Sequence, residues 1–201
     1  MKQLKETGLF LLLFMFNILV GTTLLFTIKI SISNIHLLVF FIITSIIYYF
    51  YRRKTNIKDI IKTILISLAI IIISIILSSF MFDRSSDGNT YHKDAAGVLK
   101  EGFNPIYESS KDIIKKRTDD SKKLTNYSIW TDHYAKANWI IAANFYSLTN
   151  NIESGKAMNI ISLYIVFSLI ATSLVKKLSL KKSLLLALII VLNPITASQL
   201  F

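Results

Sequence analysis

The chain contains no cysteine, which excludes disulfide bracing and thiolate metal sites. It has only two prolines and six glycines, and no internal repeat or low-complexity linker interrupts it. Acidic side chains are scarce, twelve against twenty-three Lys and Arg, and the long apolar stretches hold none of them. That last absence argues against a transporter, whose ion or proton path needs ionisable groups within the bilayer. The chain also lacks a Walker phosphate loop, a dinucleotide-binding glycine fingerprint and a His-Glu-x-x-His pair.

What the chain has in abundance is hydrocarbon. Apolar residues make up 53% of it and fall into blocks at about 8–28, 35–51, 60–82 and 157–175, with a fifth at 183–201. A run of ~18 or more apolar residues with few charges reads as a transmembrane helix. Strands are disfavoured, because an open sheet edge cannot be satisfied in lipid. The pattern predicts an all-α, polytopic integral membrane protein with about five transmembrane helices. Lys2 and Lys5 precede the first block as the basic start of a secretory signal would. The block is too long for that, and no small-x-small cleavage site follows, so it reads as a retained anchor.

The formal net charge of +11 is unevenly placed. The insert Asp83–Lys156 carries eleven bases and ten acids and is nearly neutral. The excess lies at Lys2 and Lys5, at Arg52, Arg53, Lys54, Lys58 and Lys62, and at Lys176, Lys177, Lys181 and Lys182. These sites alternate with the apolar blocks as the positive-inside rule requires. The basic charge is therefore a topology signal, and no nucleic-acid partner is expected. It predicts a multi-pass protein of the cell membrane with a cytoplasmic N-terminus and an extracytoplasmic loop 83–156. A tight outer turn near Lys29–Asn34 joins the first two helices. Lys115, Lys116 and Arg117 lie in the outer loop, but long loops translocate largely regardless of charge. Tyr48, Tyr49 and Tyr51, followed by Arg52, Arg53 and Lys54, form an interfacial aromatic belt with basic anchors.

The insert divides into three. From Ser86 to Glu101 the spacing of Tyr91, Ala95, Val98 and Leu99 predicts a short helix with one apolar stripe, lying flat in the interface. Ser86 or Asp87 would cap it, and Gly102 and Asn104-Pro105 would stop it. Glu108 to Lys123 is strongly charged and reads as a solvated helix or a lid. Trp139 to Tyr146 is apolar nearly all round and too short to span comfortably, which fits a re-entrant or interface-buried helix. Near the end, Asn193-Pro194 marks a kink or helix end. The chain stops at Phe201 with no polar tail, which suggests the N-terminal part of a longer membrane protein or a truncated product.

Chemistry is expected in the insert. Asp83 and Asp87, just beyond an apolar block, could serve as a general base or hold a metal. Alternatively, Asp83 marks the water boundary and Asp87 caps a helix. His92 could be a ligand or proton shuttle, or a structural residue. Asp132-His133-Tyr134 is a second cluster, and together with Asp87 and His92 it could present O and N ligands to a divalent metal ion. Lys136, Lys93 and Arg84 could bind a phosphate or simply be solvated. Trp130 and Trp139 could stack on a sugar or anchor the loop at headgroup level. Asn126-Tyr-Ser128 matches a glycosylation sequon, which is uninformative if the source is bacterial.

Three short motifs also carry a family resemblance. Ser86-Asp87-Gly88-Asn-Thr-Tyr91-His92, Gly102-Phe-Asn104-Pro105 and His133-Tyr134-Ala-Lys136-Ala-Asn-Trp139 resemble the first large outer loop of bacterial membrane proteins related to the GT-C glycosyltransferases. Asn193-Pro194 with Gln199 resembles the start of a further loop in such proteins. The resemblance covers roughly residues 80–201. It implies the N-terminal part of a glycosyltransferase that uses a polyprenyl-phosphate sugar in cell-envelope glycan assembly. It further implies an acid at Asp87, with Asp83 second, substrate contacts from Tyr91, His92, His133 and Lys136, and in some members a metal. In that family the acid usually follows the first transmembrane helix, whereas here it follows the third. The hairpin 8–51 would then be an N-terminal addition, or the match is to a divergent branch. The alternative is a non-enzymatic membrane protein whose outer loop binds a partner or lipid.

Overall fold

In the computed structural model the described residues, 1–109 and 130–193, are all-α, and no strand occurs among them. The helices are α1 (Lys2–Thr27), α2 (His36–Tyr51), α3 (Ile57–Ser79), α4 (Lys93–Lys100), α5 (Trp130–His133), α6 (Ala137–Thr149), α7 (Ala157–Leu174) and α8 (Leu180–Val191). A π-helical turn, Gly88–His92, leads into α4, and a 3₁₀ turn, Ile152–Lys156, leads into α7. Three helices are long and apolar enough to cross a membrane: Lys2–Thr27, Ile57–Ser79 and the continuous Ile152–Leu174. The 16 residues of α2 and the 12 of α8 are shorter. They reach about 24 and 18 Å, less than a hydrocarbon core of roughly 30 Å. The charged segment after Ser109, the sequon, the Trp130 side chain, Pro194 and Gln199 lie outside the described residues.

α1 is the central post. Its buried residues Leu11, Phe14, Met15, Ile18, Thr22 and Phe26 recur every three or four positions and face a packed interior. Around Leu11 to Ile18 gather Leu37 and Phe40 of α2, Ile71 of α3, Ile161 and Ile165 of α7, and Ile141 and Phe145 of α6. A Cβ on Gly8 would overlap the Ser168 hydroxyl, so glycine is what lets α1 and α7 approach this closely. Small residues at crossing points are the usual basis of helix packing in membranes.

The apolar character of α6 has a protein cause. Ile141 and Phe145 face the central cluster. Trp139, Ile140 and Ala143 face a second cluster made by Ala95, Ala96, Val98 and Leu99 of α4 with Phe26, Ile32 and Phe103. The helix is buried on two sides, which explains a sequence that is apolar nearly all round. The same packing corrects the reading of α4. Its predicted stripe is buried, but against α6 and the end of α1, so that face meets protein.

The predicted turn after α1 is closed by Lys29, with φ 62°. Ile30 N–H donates to Leu25 O at 2.9 Å and Lys29 N–H to Phe26 O at 3.0 Å, the paired bonds of a Schellman helix end. The outer loop completes this cap. Asn104 Nδ2 donates to Phe26 O at 2.8 Å and the Tyr107 hydroxyl to Thr27 O at 2.8 Å. The motif around Asn104-Pro105 thus fastens the loop to α1. Gly102, at φ 104°, ends α4 as its position in the sequence suggests.

At the opposite end, α1 begins earlier than the apolar block and brings an acid with it. Glu6 is buried, 2.5 Å from Arg52 Nη2 and 2.8 Å from the Tyr48 hydroxyl. Gln3 Nε2 donates to Thr63 Oγ1 at 2.9 Å, and Lys2 pairs with Asp59 at 3.0 Å. These contacts tie the ends of α1, α2 and α3 together. The block 8–28 is free of acids, as the sequence indicates, but the helix that contains it is not.

Candidate functional site

The loop after α3 is organised by Asp83. Its Oδ1 accepts from Ser85 N–H at 2.8 Å, and Ser85 Oγ accepts from Gly88 N–H at 2.9 Å. Asn89 Nδ2 donates to Asp83 O at 3.0 Å and to Ser85 O at 2.8 Å. A Cβ on Gly88 would overlap the Asp83 carboxylate, so the turn closes only around glycine. Short polar side chains that bond nearby backbone are what turns are built from. The expected cap at Ser86 or Asp87 is not the one used. Asp87 makes no side-chain capping bond to the turn that follows it, because Asp83 and Ser85 already satisfy that end.

Beneath this loop lies Glu153, a buried carboxylate that the sequence reading did not single out. Lys93 Nζ is 2.6 Å from its Oε1, and Lys156 Nζ is 2.7 Å from its Oε2. Asp83 N–H donates to Oε2 at 3.3 Å. Lys93 also donates to Asn89 Oδ1 at 2.9 Å and Asp83 O at 3.4 Å, and Lys156 donates to Met81 O. Glu153 is placed by the turn before α7. There Asn151 Oδ1 accepts from Glu153 N–H at 3.0 Å, and Asn151 Nδ2 donates to Ser79 O at 3.1 Å. A buried carboxylate is tolerable only when its charge and lone pairs are satisfied, and this one has two ammonium partners and a backbone donor.

These elements enclose a cleft of 640 Å³. The cleft is lined by Asp83, Asp87, His92 and Lys93 from the loop and α4, by Asn138 and Trp139 of α6, and by Glu153, Lys156 and Asn159 around the start of α7. Asp87 is exposed there, and Asp83 is half-buried. Burial acts to raise the Asp83 carboxyl, but the Ser85 hydroxyl and backbone N–H, with Lys93 and Lys156 behind them, outweigh it and hold the pKa below the usual 3.8. Asp83 is therefore committed to the turn, whereas Asp87 is exposed on the cleft lining and engages the Tyr91 hydroxyl.

Beside the cleft stands an aromatic group. Trp139 Nε1–H donates to His92 Nδ1 at 2.8 Å. This fixes the proton of neutral His92 on Nε2, because the other ring nitrogen must be an acceptor. Tyr91 contacts His92 at a tilt, 4.3 Å between ring centres, and meets Tyr134 edge-on at 5.5 Å. Lost hydration first, and then the charge of Asp87 and the neighbouring Tyr134, hold the Tyr91 hydroxyl above its usual 10.0.

The predicted residues thus separate. Asp83, Asp87 and His92 share the cleft. Tyr91 stands behind His92, in the aromatic group. His133 is exposed and lies outside the cleft lining. Lys136 turns its ammonium to Asp132 O at 2.9 Å and Tyr134 O at 3.2 Å, closing the chain turn after α5. Asp132 does not line the cleft either, although its helix touches the Gly88–His92 turn. Among the described residues no three His, Asp or Glu side chains come together as a metal site. The predicted set of Asp87, His92 and Asp132 therefore does not fit a divalent ion.

Comparison of the chain with protein-family models, with curated proteins and with solved structures finds no match.

Proposed function

We propose that the chain is a multi-pass protein of the cell membrane, with five membrane helices, a cytoplasmic N-terminus and the cleft on the outer side. In this reading it supplies the first outer loop of a GT-C-like glycosyltransferase that uses a polyprenyl-phosphate sugar in cell-envelope glycan assembly. Asp87 takes the proton of an acceptor hydroxyl as that oxygen bonds to the anomeric carbon. The bond from that carbon to the phosphate oxygen breaks, and the electron pair leaves with the polyprenyl phosphate. Lys156, whose ammonium donates to Met81 O and pairs with Glu153, keeps a third N–H for the departing phosphate. The observation that carries the reading is the division between two neighbouring carboxylates, Asp83 bonded within its turn and Asp87 exposed on the cleft lining beside the Tyr91 hydroxyl. A base must be able to reach its proton.

A second reading, a non-enzymatic protein whose outer loop binds a partner or lipid, draws support from Lys93. All three of its N–H bonds are directed to groups of the protein itself, so it holds the loop and offers nothing to a phosphate. The two readings are separated by incubating membranes that carry the chain with a radiolabelled polyprenyl-phosphate sugar and measuring release of polyprenyl phosphate. The enzyme reading expects turnover. Its absence with every lipid-linked sugar and acceptor supplied would leave the binding reading.

A further inference from the structure

The end of the molecule opposite the cleft carries a charge imbalance that the fold does not neutralise. Eleven of the twelve basic residues outside the insert gather there, against two acids, Glu6 and Asp59. Both acids are already engaged, Glu6 with Arg52 at 2.5 Å and Asp59 with Lys2 at 3.0 Å. The corner between α7 and α8 belongs to the same end, since the close contact of Gly8 with Ser168 sets the last turns of α7 beside the start of α1.

That corner is the densest part. Lys176, Lys177, Lys181 and Lys182 fall within seven residues, all exposed, and the sequence from 157 to 201 contains no acid. Among the described residues none of the four enters an ion pair. Lys181 and Lys182 occupy the first turn of α8, the helix end where cations are disfavoured. Four like charges at such spacing repel one another unless an external anion screens them. Across the same end, the α2–α3 corner exposes Arg53, Lys54, Lys58 and Lys62, beside the exposed rings of Tyr49 and Tyr51. Rings of this kind favour the headgroup level of a bilayer.

We propose that this basic end is a binding surface for anionic phospholipid headgroups, with the α7–α8 corner as its main seat. The phosphates of several lipids lie against the four lysines and neutralise them. The surface is selective for charge: a zwitterionic headgroup carries its own cation and leaves the lysines uncompensated. The inference rests on the membrane-embedded reading above.

The test is native mass spectrometry of the purified chain in mixed micelles containing equal phosphatidylglycerol and phosphatidylcholine. The expected result is preferential retention of phosphatidylglycerol, by about fivefold per basic residue engaged at low salt, decreasing as salt is raised. The paired change Lys181→Gln with Lys182→Gln should lower retention by roughly 25-fold. The milder pair Arg53→Gln with Lys54→Gln should lower it less. Unchanged helicity by circular dichroism shows that each variant is folded. Equal retention of the two lipids, or undiminished retention in Lys181→Gln with Lys182→Gln, overturns the proposal. So does displacement of the lipid by a single-stranded RNA oligonucleotide at lower concentration. Carbonate extraction of native membranes separates the levels: a chain that is extracted fails both readings, and one that resists extraction but shows no lipid preference fails this one alone.

Discussion

Lys93 and Glu153, sixty residues apart, meet at 2.6 Å from Nζ to Oε1. This contact joins the start of the outer loop to its end, and both residues line the cleft. With Lys156 on the other carboxylate oxygen, Glu153 is the residue on which both sides of the site depend. Glu153→Gln removes the charge and leaves two ammonium groups facing a neutral amide. Breaking one partner of a buried pair is expected to cost about 2–4 kcal/mol. Denaturant unfolding in detergent measures it, and a loss below a few tenths of that would show that the pair is a solvated contact.

Acid should loosen the loop through Asp83. Its carboxyl is held below the usual 3.8 in the folded chain, so the folded state favours the ionised form. The stability it contributes is fully present above the ordinary carboxylate range. It is lost as pH falls through the depressed folded value. Hydrogen exchange of the Ser85 and Gly88 amides, followed as pH is lowered, should show protection lost there first. The variant Asp83→Asn should have weaker protection at neutral pH and a flatter acid dependence.

Gly88 and Asp83 form a steric pair. Gly88→Ala drives a methyl group into the Asp83 carboxylate and is expected to cost about 1–3 kcal/mol, the usual penalty of overpacking. Adding Asp83→Gly removes the closest obstruction and leaves only the Ser85 hydroxyl to shift, so the double variant should lose less than the two single losses added. Strict additivity by thermal unfolding would contradict the geometry.

The buried acid at the other end predicts a different sensitivity. Glu6→Gln leaves Arg52 without its 2.5 Å partner and weakens the bond from Tyr48. A loss of about 1–3 kcal/mol is expected. Arg52→Lys keeps the charge for this single contact and should lose less, as denaturant unfolding in detergent would show.

The helices could be located in the sequence because apolar runs without acids leave few alternatives. Their ends were harder to place. Phe80, Met81 and Phe82 extend the apolar block after α3, yet they lie beyond the helix and are exposed. The apolarity of Trp139 to Tyr146 was plain from sequence, but its cause was not. Burial between α4 and the central cluster produces the same pattern as burial in lipid. Asp83, Asp87 and His92 were found because they sit together directly after an apolar block. Glu153 was missed because its partner Lys93 is remote, and Asn150-Asn151-Ile-Glu153 reads as an ordinary polar turn. The only local signal was the Glu153-x-x-Lys156 spacing. His133 and Lys136 were chosen by their proximity in sequence, which the turn after α5 directs away from the cleft.

The central claim is that two neighbouring carboxylates divide structure and chemistry between them. Parallel measurement of sugar transfer from a polyprenyl-phosphate donor and of unfolding in Asp87→Asn and Asp83→Asn tests it most directly. Asp87→Asn should lower turnover by about 10²–10⁴-fold, the range of a general base, with stability unchanged. Asp83→Asn should lower stability and loop protection. Undiminished turnover in Asp87→Asn, or a loss of stability in that variant equal to the loss in Asp83→Asn, would contradict the account.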